Sequence, residues 1–190
     1  MGVRRIGILG GTFNPVHFGH LFIAEEVRAS LDYDAVIFVP ANQPVHKDTA
    51  PVLEPAHRLA MLRLAVADNP HFLVDTGDID RGGPSYSIET VTSLVPRHGI
   101  KGRPGFLIGD DLAAGFPSWK NVDALVAIVD LIVARRTADA PPALAYAHRV
   151  VSNAVLPISS SDIRRRIREG RAVRYLLPDS VLAYIRDHAL

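Results

Sequence analysis

The chain has 190 residues, of which 48% are hydrophobic, and its formal net charge is +1. This length and composition suit one sizeable core, so we expect a single domain over residues 1–190. A net charge near zero argues against bulk binding to nucleic acid or to a membrane surface. The sequence has no cysteine, which excludes disulfides, cysteine-ligated zinc and a thiol nucleophile. The apolar run after Arg4 and Arg5 is too short for a signal peptide or a membrane span, so we expect a soluble, cytoplasmic protein.

Apolar, β-branched runs alternate with stretches in which apolar residues return every three or four positions. The runs predict strands at Val3–Leu9, Ala35–Val39, Phe72–Val74, Gly105–Ile108, Ala127–Ala134 and Arg149–Val151. The periodic stretches predict helices at Gly19–Leu31, Glu54–Asp68, Ser87–Val95, Ser160–Glu169 and Pro178–His188. Since parallel neighbours need a crossover connection, the alternation predicts an α/β fold with a doubly wound, mainly parallel sheet. The last two helices predict a small helical part from about residue 158 to 190.

Two connecting segments, Pro40–Pro55 and Thr137–His148, are rich in proline, alanine and polar residues. The first follows a predicted strand end and carries Asn42, His46 and Lys47, whose donors and positive charge suit a ligand-binding lid. An ordinary solvated loop with incidental charge is the alternative.

The most informative motif is Gly10–His20, between the first predicted strand and the first predicted helix. Glycines at a strand end let the backbone approach a ligand closely, and a helix N-terminus directs N–H groups and partial positive charge at the same place. His17 and His20 can face the same anion if the chain already turns helically there. The arrangement indicates a phosphate site and hence nucleotide chemistry.

Three other interpretations of this motif are weaker. A dinucleotide fingerprint that starts at Gly7 would need glycines at Leu9 and Thr12, and no acidic residue closes the second predicted strand. A zinc site at His17 and His20 would need further ligands at suitable spacing. A tight turn alone explains the glycines but leaves the histidine pair unexplained.

Gly10–His20 resembles the G-G-[ST]-F-[DN]-P-x-H-x-G-H signature of the nucleotidyltransferase superfamily. The chain is similar in particular to bacterial nicotinate-nucleotide adenylyltransferases. Further segments match that family in the same order: Pro44–Lys47, Ser85–Thr90, Gly109–Asp111 with Trp119–Lys120, and Ile158–Arg164. The resemblance spans nearly the whole chain and implies a Rossmann-like nucleotidyltransferase fold.

The resemblance implies that the phosphate of nicotinate mononucleotide attacks the α-phosphorus of ATP, which gives nicotinate adenine dinucleotide and pyrophosphate. Because the attacking group is already an oxyanion, the task is to bring two polyanions together and to stabilise developing charge. The catalytic residues implied are His17, His20, Lys47 and Arg164. Mg²⁺ is the expected cofactor, held largely by substrate oxygens and water, with Asp110 as a candidate contributor through water.

The resemblance also distributes the binding residues between the two substrates. Those implied for ATP are Gly10, Gly11, Thr12, Phe13, His20, Gly109, Asp110, Ser159, Ser160, Ile163 and Arg164. Those implied for the mononucleotide are Asn42, His46, Lys47, Tyr86, Ser87 and Trp119, the last stacking on the pyridine ring. The sequence departs from the family at Ser87, where threonine is usual, at Glu89, where aspartate is usual, and at Asn14, where many members have aspartate.

The Ile158–Arg164 segment also has a physical interpretation that is independent of the resemblance. Serines at a helix start supply capping oxygens and free N–H groups, and Arg164 lies in the first turn, so the segment predicts a second anion site. The alternative is an ordinary helix cap followed by a basic solvated face, which is the interpretation kept for Arg165, Arg166 and Arg168.

Rival functions remain open. Phosphopantetheine adenylyltransferases usually have threonine where His17 stands and lack the segments around Pro44–Lys47 and Trp119. A nicotinamide-mononucleotide adenylyltransferase and a non-catalytic nucleotide sensor are two further rivals. We expect ATP and nicotinate mononucleotide as partners, with no nucleic acid and no membrane, and whether the chain forms a homo-oligomer stays open.

Overall fold

The computed structural model describes residues 5–45, 52–136 and 144–190. The strands are β1 Ile6–Gly11, β2 Ala35–Pro40, β3 Gln43–Pro44, β4 Phe72–Val74, β5 Pro84–Ser85, β6 Gly105–Gly109, β7 Asp130–Ala134 and β8 Arg149–Val151. The α-helices are α1 Phe18–Ser30, α2 Pro55–Val66, α3 Gly77–Arg81, α4 Ser87–Arg97, α5 Val122–Ile128, α6 Ser160–Arg168 and α7 Asp179–Asp187. Two 3₁₀ turns, Asp110–Leu112 and Phe116–Ser118, lie between β6 and α5.

Six of the strands form one sheet in the order β4-β2-β1-β6-β7-β8, and all of the pairings are parallel. The chain winds outward from β1 through β2 to β4, then crosses back to β6 and winds outward through β7 to β8. This confirms the predicted doubly wound α/β fold. The direction reverses between β1 and β6, and ligands in such sheets bind at the carboxyl edge beside this reversal.

Alternation along the strands divides the core into two layers. Leu9, Val36 and Phe38 face one side, where α1, α2, α6 and α7 contribute apolar residues. Ile8 and Ile37 face the other side, which α4 and α5 cover. Successive strand residues point to opposite faces, so strands buried on both sides read as continuous apolar runs.

The structure corrects some predicted elements. Strand β7 begins at Asp130, and Ala127 and Ile128, predicted as its first residues, belong to the end of α5. An unbroken apolar run does not by itself distinguish a short buried helix from a strand. Helix α3 and the two-stranded pair of β3 with β5 were not predicted, because both are too short to show a periodicity.

In the part of the chain that the structure describes, no helix has the length and apolar character required to cross a membrane.

Candidate active site

An open cleft lies at the carboxyl edge of the sheet, around the β1/β6 reversal. Predicted site residues that line it are Gly10, Gly11, Thr12, His20, Ser87, Gly109 and Trp119. They come from four separate parts of the sequence. The fold therefore brings the strand-end motifs into one space, as the parallel arrangement requires.

The two glycines that end β1 determine how the chain enters the following loop. A Cβ on Gly11 would stand 2.9 Å from the ring of Phe13, which is 1% exposed and has a φ of 48°. A side chain at Gly11 would therefore displace a buried aromatic ring. A Cβ on Gly10 would meet nothing within 4 Å, so the backbone is accessible from the cleft at this residue.

The rings of His17 and His20 are in contact at the start of α1, with centroids 3.8 Å apart and ring planes tilted by 31°. The backbone N–H of His17 donates to Nδ1 of His20 at 3.3 Å. Because Nδ1 accepts this bond, a neutral His20 carries its proton on Nε2 and can donate it to a ligand. The two residues differ in exposure: His20 lines the cleft, whereas His17 is fully buried.

The Ile158–Arg164 segment packs against the same loop. Ser160 Oγ donates to the Pro15 carbonyl at 2.9 Å, and Arg164 Nη1 donates to the Asn14 carbonyl at 2.7 Å. Burial, followed by the charge of Arg168, lowers the pKa of the Arg164 guanidinium. Sequence positions 150 residues apart thus meet at the histidine motif.

Within that segment each residue has a distinct place. Ser159 caps α6 by accepting a hydrogen bond from the Asp162 backbone N–H at 3.1 Å. Ile163 is fully buried, and its backbone N–H donates to the Ser159 carbonyl within the helix. Arg164 reaches the outer side of the motif and is not among the residues that line the cleft.

The opposite side of the cleft is held by short cross-links. The backbone N–H of Asn42 donates to Ser85 Oγ at 2.9 Å, and its side-chain amide donates to the Gly83 carbonyl at 3.0 Å. These bonds join the ends of the segments that form β3 and β5. Asn42, which was predicted to bind the mononucleotide, therefore also holds this side of the cleft together through its own hydrogen bonds. His46 and Lys47 lie outside the described residues.

The rim of this wall carries the aromatic residues. Trp119 packs against Phe116 at a centroid distance of 4.9 Å. Lys120 places its ammonium 4.0 Å from the centroid of the Tyr86 ring and pairs with Glu89 at 2.8 Å. The hydrogen bond from Lys120 lowers the pKa of Glu89, and the same bond raises the pKa of Lys120.

The end of β6 is fixed by Asp110, which is 2% exposed. Its carboxylate accepts a hydrogen bond from the Arg136 backbone N–H at 2.9 Å and pairs with Arg135 at 3.3 Å. A Cβ on Gly109 would overlap the side chains of Asp111 and Arg136, so a larger residue there would force both side chains to move. Among residues 5–45, 52–136 and 144–190, no group of three or more histidine and acidic side chains is placed to hold a metal ion.

Several residues of this region were not predicted from the sequence. Arg136 lines the cleft beside Gly109. It is the second residue after the buried strand β7, and a basic residue just beyond the carboxyl end of a parallel strand is a signal that could have found it. Asp78 and Thr90 also line the cleft and are hydrogen bonded to each other at 2.8 Å. Arg58 is buried in α2 and gave no sequence signal.

Comparisons with known proteins agree with this architecture. A family model described as cytidylyltransferase-like matches residues 8–166. A probable nicotinate-nucleotide adenylyltransferase from Borrelia garinii subsp. bavariensis is 43% identical over 187 residues, which cover 98% of this chain and 94% of that protein. One of the same description from Roseiflexus sp. is 42% identical over 199 residues, which cover 100% of this chain and 99% of that protein.

The fold is also found in a solved structure, Plasmodium falciparum nicotinic acid mononucleotide adenylyltransferase complexed with NaAD. Its TM-score is 0.79 at 15% identity, with 98% of this chain and 97% of that chain covered. At such low identity the likeness concerns the fold alone. The extensive sequence identity to the bacterial proteins shows more: this chain belongs to the nicotinate-nucleotide adenylyltransferase family, within the cytidylyltransferase-like group.

Proposed function

We propose that the protein transfers the adenylyl group of ATP to nicotinate mononucleotide. The observation that carries the proposal is the convergence of the histidine motif, the β6 end and the aromatic rim on one cleft. Family membership and this convergence support the same reaction. The relatives' names suggest the substrate, and the cleft has one end lined by glycines and His20 that suits phosphate and another that carries Trp119.

In this reaction a phosphate oxygen of the mononucleotide forms a bond to the α-phosphorus of ATP. The bond from that phosphorus to the oxygen bridging to the β-phosphate breaks, and pyrophosphate leaves with the electron pair. The attacking oxygen is already ionised at neutral pH, so no protein nucleophile or general base is needed. The protein must align the two substrates and stabilise charge on the phosphoryl oxygens.

We assign charge stabilisation first to His20. Its Nδ1 accepts from the His17 backbone N–H, which directs the ring proton to Nε2, the atom that would donate to an α-phosphoryl oxygen. Backbone N–H groups near Gly11 and Thr12 would bind the same phosphates. His17 would support His20 from the buried side, where the contact between the two rings would fix the His20 orientation.

The remaining cations act at greater distance from the reacting phosphorus. Arg164 would steady the histidine motif through the Asn14 carbonyl and bring positive charge to the polyphosphate. Lys47, on the predicted lid, would complete the cationic set when both substrates are bound. Arg136, which lines the cleft, is a further candidate for contact with ATP.

Mg²⁺ is proposed as the metal that accompanies ATP. Both Asp110 oxygens already accept hydrogen bonds from Arg135 and Arg136, so the described residues fit a metal held mainly by substrate oxygens and water. When bound, Mg²⁺ would neutralise part of the triphosphate charge. Asp110 itself would hold the ends of β6 and β7 together through its bonds to Arg135 and Arg136.

The aromatic rim supports a pyridine nucleotide as second substrate. Trp119 offers an indole face, and Ser87 lines the same wall at the N-terminus of α4. A helix N-terminus favours a negatively charged group, which matches the nicotinate carboxylate better than the neutral nicotinamide. We also propose that the protein acts in the cytoplasm, where ATP is available.

The test is pyrophosphate release from ATP and Mg²⁺ with each candidate acceptor: nicotinate mononucleotide, nicotinamide mononucleotide and phosphopantetheine. We expect the nicotinate compound to give a kcat/KM at least about tenfold above the other two, because only it presents a second anion to the α4 N-terminus. The dinucleotide product should appear in equal amount to pyrophosphate. ATP binding without pyrophosphate release would favour the nucleotide sensor, and a preference for another acceptor would reassign the substrate.

A further inference from the structure

The side chain of Arg58, on α2, is completely buried. Its Nη1 donates to the Thr12 carbonyl at 2.9 Å and to the Ala41 carbonyl at 2.6 Å. Its Nη2 donates to the Asn42 carbonyl at 3.0 Å, and its Nε donates to the Leu53 carbonyl at 2.9 Å. One guanidinium therefore joins three separate backbone segments.

Two of those segments lie side by side at the carboxyl edge of the sheet, where β1 pairs with β2. Thr12 belongs to the loop that leads to the histidine motif, and Ala41 follows β2 on the side of the β3/β5 pair; both line the cleft. Arg58 lies beneath this junction and is not itself a lining residue. The relative position of these two segments is thus fixed partly by a side chain that lies outside the cleft lining.

The chemistry of this contact requires arginine. All four acceptors are neutral carbonyl oxygens, and burial lowers the pKa of the Arg58 guanidinium while the charge of Glu54 opposes that change. A buried charge is costly unless its hydrogen bonds are satisfied. A planar fork with five N–H groups reaches four acceptors in different directions, whereas a lysine ammonium has three donors on one atom.

The bonds to Arg58 also fix peptide orientation. In a trans peptide the carbonyl and the following N–H point in opposite directions, so a carbonyl held by Arg58 turns the next N–H away from it. The Asn42 N–H, which follows the Ala41 carbonyl, accordingly donates to Ser85 Oγ. This bond joins the segments of β3 and β5, which together form the side of the cleft assigned to the mononucleotide, here called the mononucleotide wall. The same geometry turns the Phe13 N–H away from the guanidinium.

We propose that Arg58 is a positioning residue. It holds the phosphate-binding loop, residues 12–17, and the mononucleotide wall in the relative positions that the reaction requires. This inference rests on the proposed adenylyl transfer and adds a role for a residue outside the cleft. Arg58 acts through the Thr12, Ala41 and Asn42 backbone. Because it binds both segments, its loss should affect the use of both substrates and the chemical step together.

The experiment compares Arg58→Lys and Arg58→Gln with Leu62→Ala, a control that truncates another fully buried side chain of α2. For each folded variant, Tm, kcat and the KM of each substrate are measured by pyrophosphate release, well below its Tm. We expect both Arg58 variants to lose at least about tenfold in kcat and to raise both KM values, because misplacement of about 1 Å can cost on the order of 10²-fold in rate. The control should lose Tm while its kcat stays within about twofold of wild type.

Three outcomes overturn the proposal: wild-type kinetics in Arg58→Lys, an effect on one substrate only, or losses in Leu62→Ala equal to those in the Arg58 variants. An inactive wild-type protein would instead refute the adenylyl transfer itself. If neither Arg58 variant folds, hydrogen exchange on the wild-type protein decides. Saturating ATP alone should then slow exchange in residues 39–45, and unchanged exchange there would overturn the proposal.

Discussion

The two ends of the cleft are built differently. The phosphate-binding loop is buried and cross-linked: Phe13 and His17 are almost inaccessible, and Arg164 and Ser160 reach it from the far end of the chain. The aromatic rim around Trp119 and Tyr86 is half-buried and held by the surface pair of Lys120 with Glu89. From this contrast we expect the phosphate-binding loop to keep its geometry when substrates bind and the aromatic rim to move more.

The largest expected effect is that of His20→Ala. Loss of one donor aimed at developing charge typically costs about 3 kcal/mol in the barrier, or roughly 10²-fold in kcat. The effect on Tm should be small, since the His20 ring lies at the cleft surface. The measurement is pyrophosphate release beside a thermal melt, with His71→Ala, an exposed histidine, as matched control. If Tm falls so far that unfolding of the variant explains its lower rate, His20 has a packing role instead.

Arg164→Gln should have the next largest effect. It removes the bond to the Asn14 carbonyl and a cation near the polyphosphate, so we expect about a tenfold loss in kcat/KM for ATP, in line with roughly 1.5–3 kcal/mol for a charge-assisted hydrogen bond. Arg165→Gln is the control on the same helix, because Arg165 pairs with Asp162 at the surface. Equal kinetics for the two variants would remove the special role of Arg164.

Trp119→Ala tests the adaptable end. Loss of aromatic stacking is worth about 0.5–1.5 kcal/mol, so the KM for nicotinate mononucleotide should rise roughly three- to tenfold while the KM for ATP stays constant. Tyr175→Ala removes an aromatic ring that is 79% exposed and serves as control. An unchanged mononucleotide KM would place the pyridine ring elsewhere.

The smallest effect is expected for Lys120→Met, which breaks an exposed ion pair. The pKa of Glu89 is lowered from 4.5 and that of Lys120 is raised from 10.5, so the pair persists above the ordinary Glu89 value and below the ordinary Lys120 value. Its contribution is lost as pH falls through the lowered Glu89 pKa or rises through the raised Lys120 pKa. The mononucleotide KM should therefore change less than about threefold at neutral pH. A tenfold change would show that the rim is as rigid as the phosphate-binding loop.

The fold and the location of the site could be predicted from the sequence because both depend on local patterns. Buried parallel strands read as apolar runs, and the Gly10–His20 motif marks a strand end directly. The role of Arg58 could not be predicted, since its four bonds join residues 12, 41, 42 and 53 only after folding. His17 and His20 were both predicted to be catalytic, whereas burial in the tertiary structure distinguishes them.

A crystal structure of the protein with nicotinate adenine dinucleotide would test the proposed reaction most directly. The dinucleotide contains the adenylyl group of ATP and the whole of the mononucleotide, so the phosphates that link them mark the position of the reacting phosphorus. We expect those phosphates within hydrogen-bond distance of His20 Nε2 and the pyridine ring against Trp119. A dinucleotide bound away from the β1/β6 edge, or with its pyridine ring at the histidine pair, would contradict the proposed function.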